Sequence, residues 1–420
     1  MPTELLVRKY RREFEDRALA DPVGTVEAAL RGGHLDRDHG GARIAVTVGS
    51  RGIHRLGETV AAVIRFLKER NALPFIVPAM GSHGGATAEG QARLLESLGV
   101  TEALAGAPVR SSMETVRLGA VEAAGQDWEV FTDRLAFEAD GILLLNRVKP
   151  HTDFSSRHES GLVKMLVIGL GKEDGARVAH SRGTLGLVSA LPVMAGLLLQ
   201  KLNVLGGISL IEDANHHLAH VEVLRPGRIV DEEPRLLELA RSWMANLPAA
   251  KIDLLVIELM GKEISGTGID TNVVGRRAIA GEADPAVPGI GLIGVCDLTP
   301  ASGGNALGVG IADMTTEQLI SKIDSATTAR NVITTTFLDR GKVPVALPCA
   351  RALVSAGEKL LRSRIGQEQG VLFIRSTLHL GSFYASRRLE PVLTGKPSIT
   401  AAGGYREVPY TPEGHLAFEW

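Results

Sequence analysis

The sequence predicts an α/β protein built as two α/β domains with mostly parallel sheets and an active-site cleft between them. Three observations carry this. Apolar β-branched runs alternate with stretches of helical spacing, in the strand–helix–strand order of parallel sheets. The chain has 420 residues, whereas a single domain usually takes roughly 100–200. Its 48 glycines exceed the ordinary share of about 7%, and glycine-dense loops between apolar strands are where a backbone turns sharply or approaches a ligand.

Taken in order, residues 42–48 (ARIAVTV) form a strand that stops at Gly49 and Ser50. Residues 58–70 follow with helical spacing of Val60, Ile64, Phe66 and Leu67, and 73–78 is the next strand. Thr87 caps a helix over 87–98, and GILLLN (141–146) and 208–213 read as buried strands. Residues 182–202 are a long apolar helical segment in which Pro192 is expected to cause a bend. An amphipathic helix over 234–244 leads to LPAA (247–250), a plausible link. The strand IDLLVIE (252–258) restarts the pattern, continued by 291–297, a helix near 315–327 and a strand at 371–375. The domains are therefore set at 1–248, expected to be catalytic and cofactor-binding, and 249–420, expected to close the cleft. The tail from about Lys396, rich in Pro, Gly and aromatic residues, is expected to fold back on the first domain.

Composition narrows the class. Hydrophobic residues make up 45% and charged residues 22%, and the formal net charge is −2. These values fit a folded chain with no footprint for nucleic acid or an anionic membrane surface. Cys296 and Cys349 are far apart with no CxxC spacing, which argues against a disulfide framework, a zinc knuckle or an iron–sulfur site and suits a reducing cytoplasm. The first residues are charged throughout and unlike a signal peptide, and the most apolar windows are too short or too interrupted to span a membrane.

In open parallel sheets ligands bind beyond the carboxyl ends of the strands, so residues just after strands come first. Ser50 and Arg51 follow the strand at 42–48, and an arginine there can clamp a carboxylate or phosphate or stand as an ordinary surface charge. His83 lies in the glycine-rich GSHGG after 73–78, and His151 follows the stiffening Pro150 after 141–146. Two histidines across a pocket can handle a proton on either face of one substrate atom. Lys164, in SGLVKMLVIGLG, has an apolar surround that lowers a lysine's proton affinity and makes the amine a nucleophile, although a snorkelling lysine is the plain alternative. His180, in ARVAHSRG, is a candidate metal ligand that needs partners from elsewhere, since protein-only sites usually use about three or four ligands.

In this order the constellation resembles the lactate racemase family, over roughly residues 43–277. Arg51 in GSRG resembles the substrate-orienting arginine of the family's D-x-T-R segment, with Val48 where the family has aspartate. His83 in MGSHGGAT and His151 in KPHTDF resemble its two acid/base histidines. Lys164 and His180 resemble its cofactor-tethering lysine and nickel ligand. The approach to Lys164, through Ser155, Ser156, Arg157 and His158, is longer than the family's and lacks its G-G-R-K, so attachment by a covalent bond is left open. GTGIDTNVVGRR (266–277) resembles a family segment that faces the active site, which puts Asn272 and Arg276 forward as substrate contacts, together with Asp270.

The resemblance implies a racemase or epimerase acting on a 2-hydroxy acid other than lactate. It implies a nickel-pincer nucleotide as cofactor, His180 on the metal, Lys164 and Ser50 at the cofactor, and maturation by cofactor-biosynthesis proteins. In the family, hydride leaves C2 for the cofactor and returns to the flat keto acid while the two histidines manage the proton. A nicotinamide-dependent oxidoreductase is the enzymatic alternative, disfavoured because no G-x-G-x-x-G opens a helix after the first strand. A noncatalytic protein that binds a nucleotide or hydroxy acid is the other. Three features are discounted: His216 and His220 in NHHLAH, the glycine-rich turn at 301–306, and Asp313, which could equally cap the helix expected near Thr315.

Overall fold

The computed structural model describes residues 5–366 and 369–420. The chain divides into two compact units, Glu15–Met244 on one side and Ala245–Trp420 with the N-terminal segment up to Phe14 on the other.

In the unit Glu15–Met244, a five-stranded sheet among the described residues runs Leu73–Pro78, Arg43–Val48, Gly141–Arg147, Val204–Glu212, Leu218–Leu224. The first four strands are parallel and the last antiparallel. Alternation along the strands explains why both faces are apolar. Ile44, Val46 and Val48 join one core cluster with Leu143 and Leu145, whereas Ala45 joins the other with Ile142 and Leu144. Fully burying such side chains is worth about 1.5–3 kcal/mol each, enough to order the helices that cover each face. On one face Leu56–Lys68 presents Val60, Val63, Ile64 and Leu67, the i, i+3, i+4, i+7 stripe of an amphipathic helix.

The opposite face is covered by Ile229–Trp243 and by a broken helical run: Leu162–Lys164, a π-helical turn at Met165–Gly169, Lys172–His180, a second π-helical turn at Gly186–Ala190, and Leu191–Lys201. Pro192 lies within the continuous helical run 184–201, directly after the π-helical turn Gly186–Ala190, where the helical repeat changes. A hairpin that periodicity did not reveal, Thr115–Ala123 with Gln126–Asp133, packs Trp128 into this face, and the indole donates to Ala123 O at 3.0 Å.

In the other unit the sheet has eight strands among the described residues, in the order Val345–Leu347, Met314–Thr316, Gly289–Leu298, Lys251–Met260, Val371–Ser376, His379–Ser386, Leu6–Arg12, Ile399–Glu407. The first five are parallel and the remainder antiparallel. Three expectations change here. The chain's first strand, Leu6–Arg12, lies in this sheet rather than in an N-terminal domain, because Val7 and Tyr10 are buried in it while Arg8 pairs with Glu390 and Lys9 lies over Tyr384. The tail also stays in this unit: Ile399–Glu407 pairs with Leu6–Arg12, and Phe418 stacks on Tyr384. Thr315 is a strand residue, followed by two short helices, Glu317–Ser321 and Ser325–Thr335, capped by Thr316 and Asp324. Among the described residues no helix is long and apolar enough to cross a membrane.

The loop after Leu73–Pro78 is pressed against the first turn of the helix Ala88–Ser97, and a Cβ on Gly90 would lie 1.8 Å from Gly84 O. Alanine normally gains about 1 kcal/mol over glycine inside a helix. Gly90→Ala should instead lower stability by about 1–3 kcal/mol, because a backbone carbonyl stands in the way. Urea unfolding of parent and variant checks the sign.

Candidate functional site

Arg43–Val48, Leu73–Pro78 and Gly141–Arg147 are adjacent and parallel, so their carboxyl ends emerge on one edge of the sheet. Ser50, Arg51, His83 and His151 all sit in the segments that leave this edge. Ser50 and His83 are hydrogen-bonded, Oγ to Nδ1, which ties the first two segments together.

The third segment is a closed loop. Lys149 and Ser160 pair across its base, with Lys149 N donating to Ser160 O at 2.9 Å and Ser160 N to Lys149 O at 3.2 Å. Inside, the buried carboxylate of Glu159 accepts the N–H groups of His151 at 2.6 Å and Ser156 at 2.8 Å, and pairs with Arg241. Asp153 N donates to His151 Nδ1 at 3.1 Å, so Nδ1 is an acceptor and Nε2 is the nitrogen turned to the Lys164 amine, with which it is in contact. Phe154 lies against the ring.

Lys164 ends the short helix Leu162–Lys164, which starts inside the core. Its first N–H groups have no water to meet, and Glu233 from Ile229–Trp243 receives them: Leu162 N and Val163 N (3.1 Å) both donate to Glu233 Oε2. Asn146 Nδ2 donates to Gly161 O at 2.7 Å from the other side. A Cβ at position 161 would lie 2.4 Å from Glu233 Oε2, so only glycine lets the two chains approach this closely. Burial pushes the Glu233 carboxyl up to about 7, against the lowering effect of the two N–H groups.

Burial also sets the chemistry of the other groups. The Lys164 ammonium is brought down to about 8, mainly by desolvation, with Asp153 opposing and Arg51 adding repulsion. His180 is brought down to about 4 by desolvation and then by Lys164, again opposed by Asp153. Arg51 remains solvent-accessible, yet surrounding protein and then Arg147 lower its guanidinium from the ordinary value while Asp153 opposes. Asp153 is therefore the common neighbour of Arg51, Lys164 and His180, and lies 3.8 Å from His151 Nδ1. At neutral pH this cluster offers an uncharged imidazole with a lone pair, an amine that readily loses its proton, a second imidazole and an open guanidinium. That set can hold a soft metal, take an acyl group, move a proton and bind a carboxylate.

The two candidates in the other unit have partners of their own. Arg276 donates to Asp313 Oδ2 at 2.6 Å and to Ile311 O at 3.2 Å. Asp313 also accepts Ile293 N at 2.7 Å and so caps no helix. Asn272 lies in the short helix Thr271–Val274, and its amide donates to Asp270 at 3.2 Å. The glycine-rich turn at 301–306 spends Ser302 Oγ on Lys262 N and Asn305 Oδ1 on Leu307 N. His216 sits in a hairpin turn and His220 pairs with Glu222 at 3.2 Å.

Asp153, Glu159, Glu233 and Asn146 escaped sequence reasoning. Glu233 carried a signal: it falls on the apolar face of its helix, between Ile229 and Leu236–Leu237.

Because the folded chain holds the Glu233 proton up to about 7, this group's stabilisation is complete below the ordinary glutamate range and is lost as pH rises through 7. Glu233→Gln cannot ionise. Relative to that variant, the parent should lose about 1–3 kcal/mol between roughly pH 5 and 8, read as the difference in Tm across a pH series.

Comparison with known proteins bears on the fold. No protein-family model matches the chain, and no curated protein does. A Thermotoga maritima protein of known structure aligns with 14% identity and a TM-score of 0.46, over 60% of this chain and 66% of that one, so this chain spans just under two thirds of its length. The lactate racemase apoprotein from Thermoanaerobacterium thermosaccharolyticum aligns over 90% of this chain and 99% of its own, with 12% identity and a TM-score of 0.53. Over the aligned 90% of its length, the chain has the α/β fold of that lactate racemase.

Proposed function

We propose that the chain is a racemase or epimerase of a small 2-hydroxy acid that works with a nickel-pincer nucleotide. The observation that carries this reading is the convergence of Arg51, Lys164 and His180 around Asp153, with His151 against Lys164. It lies at the carboxyl edge of a sheet whose fold is that of a lactate racemase.

The donor set fits such a cofactor. His180, uncharged down to about pH 4, has the free nitrogen a nickel ion needs beside sulfur ligands. Lys164, brought down to about 8, has the nucleophilic amine that a covalent tether would use. Ser50 stands beside these segments as a further cofactor contact. When bound, the nucleotide supplies reversible hydride acceptance at the substrate's C2.

The chain's own part is binding, orientation and proton transfer. Arg51 binds the substrate carboxylate, and a guanidinium fork holds that group in the same place for both enantiomers. His151 handles the hydroxyl proton at Nε2 on one side when its own ring proton sits on Nδ1, toward the Asp153 carboxylate 3.8 Å away. His83 does the same from the other side, oriented through Nδ1 by Ser50. Asp153 keeps the cation-rich cluster from repelling itself.

The test is protein co-produced with the cofactor-biosynthesis proteins, offered a panel of 2-hydroxy acids that includes dicarboxylic and sugar acids, with chiral analysis of the products. At least one enantiomer pair should interconvert, and His83→Ala or His151→Ala should lower the rate about 100-fold or more. No turnover across the panel with nickel-loaded protein overturns the reading. His180→Ala should bind no nickel by elemental analysis, and full retention would sink that assignment. A cofactor-sized addition at Lys164 in the intact mass separates tethered from noncovalent binding.

A further inference from the structure

A second buried network lies beneath the loop that carries His83. The Lys172 ammonium is fully buried. It donates to Pro78 O at 2.5 Å and to Gln91 Oε1 at 2.9 Å, and pairs with the equally buried Asp133 at 3.1 Å. Gln91, also fully buried, passes the contact on through Nε2, which donates to the carbonyls of Gly81 at 2.7 Å and His83 at 3.2 Å. Asp133 in turn accepts Ala136 N at 2.9 Å and caps the helix Arg134–Phe137. Lys172 itself opens the helix that ends in His180, in left-handed backbone at φ 52°.

A buried ion pair is a poor way to gain stability, because taking both charges out of water costs several kcal/mol per ion and apolar residues of similar volume often do as well or better. What an apolar side chain cannot do is aim. An ammonium has three donors in fixed directions. Here they meet the end of the strand Leu73–Pro78, the helix Ala88–Ser97 through Gln91, and the end of the hairpin strand Gln126–Asp133. The amide of Gln91 then grips the loop on either side of Ser82, at the carbonyls of Gly81 and His83.

We propose that Lys172, Asp133 and Gln91 are positioning residues that fix the His83 loop relative to the helix bearing His180. Their catalytic meaning rests on the racemase reading, in which a two-base site needs His83 at a set span from the opposite base. Their structural meaning does not.

The test therefore reads the position of His83 without any cofactor. Diethylpyrocarbonate modification is followed residue by residue by mass spectrometry, with His54 and His217 as internal references. Gln91→Glu keeps an acceptor for Lys172 but withdraws both N–H donors from the loop, and Gln91→Met removes donor and acceptor at similar volume. In either variant that folds by circular dichroism, the His83 rate should change by about threefold or more while the reference rates stay put. A parental His83 rate in a folded variant overturns the proposal. If neither variant folds, hydrogen exchange in the parent decides. Residues 81–86 should exchange as slowly as the helix Ala88–Ser97, and exchange at the rate of an exposed loop overturns the proposal. In nickel-loaded enzyme the same variants should lose kcat with KM nearly unchanged, and absence of any racemisation in the parent would fall on the functional reading alone.

Discussion

The carboxyl group of Glu233 against the N–H groups of Leu162 and Val163 is the contact on which the geometry around Lys164 depends. A helix that begins inside a core has unsatisfied donors and no water to take them. Here the acceptor comes from a helix distant in sequence, and the missing side chain at Gly161 lets it come close. Asn146 fixes the same turn from the sheet, so Lys164 is located by strand, helix and turn together. The run beyond it contains two π-helical turns, one directly after Lys164 and one shortly after His180. Each inserts an extra residue into the helical repeat and so resets which side chains face the sheet edge.

Around that anchor the electrostatics are lopsided. One carboxylate, Asp153, lies among Arg51, Lys164 and His180, and its pull is weaker than the desolvation each cation suffers. Burial thus keeps the His180 imidazole uncharged to about pH 4 and makes the Lys164 amine lose its proton more readily than a hydrated lysine, with Asp153, and for Lys164 also Glu159, opposing the shift.

Much of this was legible in the chain. β-Branched runs ending in glycine gave the strands at 42–48, 73–78 and 141–146, and position just past a strand end picked out Arg51, His83 and His151. The apolar surround of Lys164 marked that amine, and His180 stood as a candidate ligand, before the ordered resemblance gave both a role. What stayed hidden has physical causes. Leu6–Arg12 carries four cations in seven residues and reads as surface, yet Val7 and Tyr10 alone suffice to bury it beside two antiparallel neighbours. The hairpin over residues 115–133 is half exposed, which leaves little apolar contrast to detect. Glu233 and Lys172 act through partners some 39 to 94 residues away in sequence, a span over which no local pattern points.

The loop between His151 and Ser160 has its ends stapled by the Lys149–Ser160 pair and its middle held by Glu159. Within it His151 is held by Glu159 and by the Asp153 N–H, and beyond it Lys164 takes its place from Glu233 and Asn146, whereas Ser155 and Arg157 are exposed and make none of these contacts. Lengthening a loop whose base is already shut costs only about 0.6 kcal/mol per doubling. Ser155 and Arg157, exposed at the tip, can therefore be exchanged without disturbing the residues that hold His151 and Lys164.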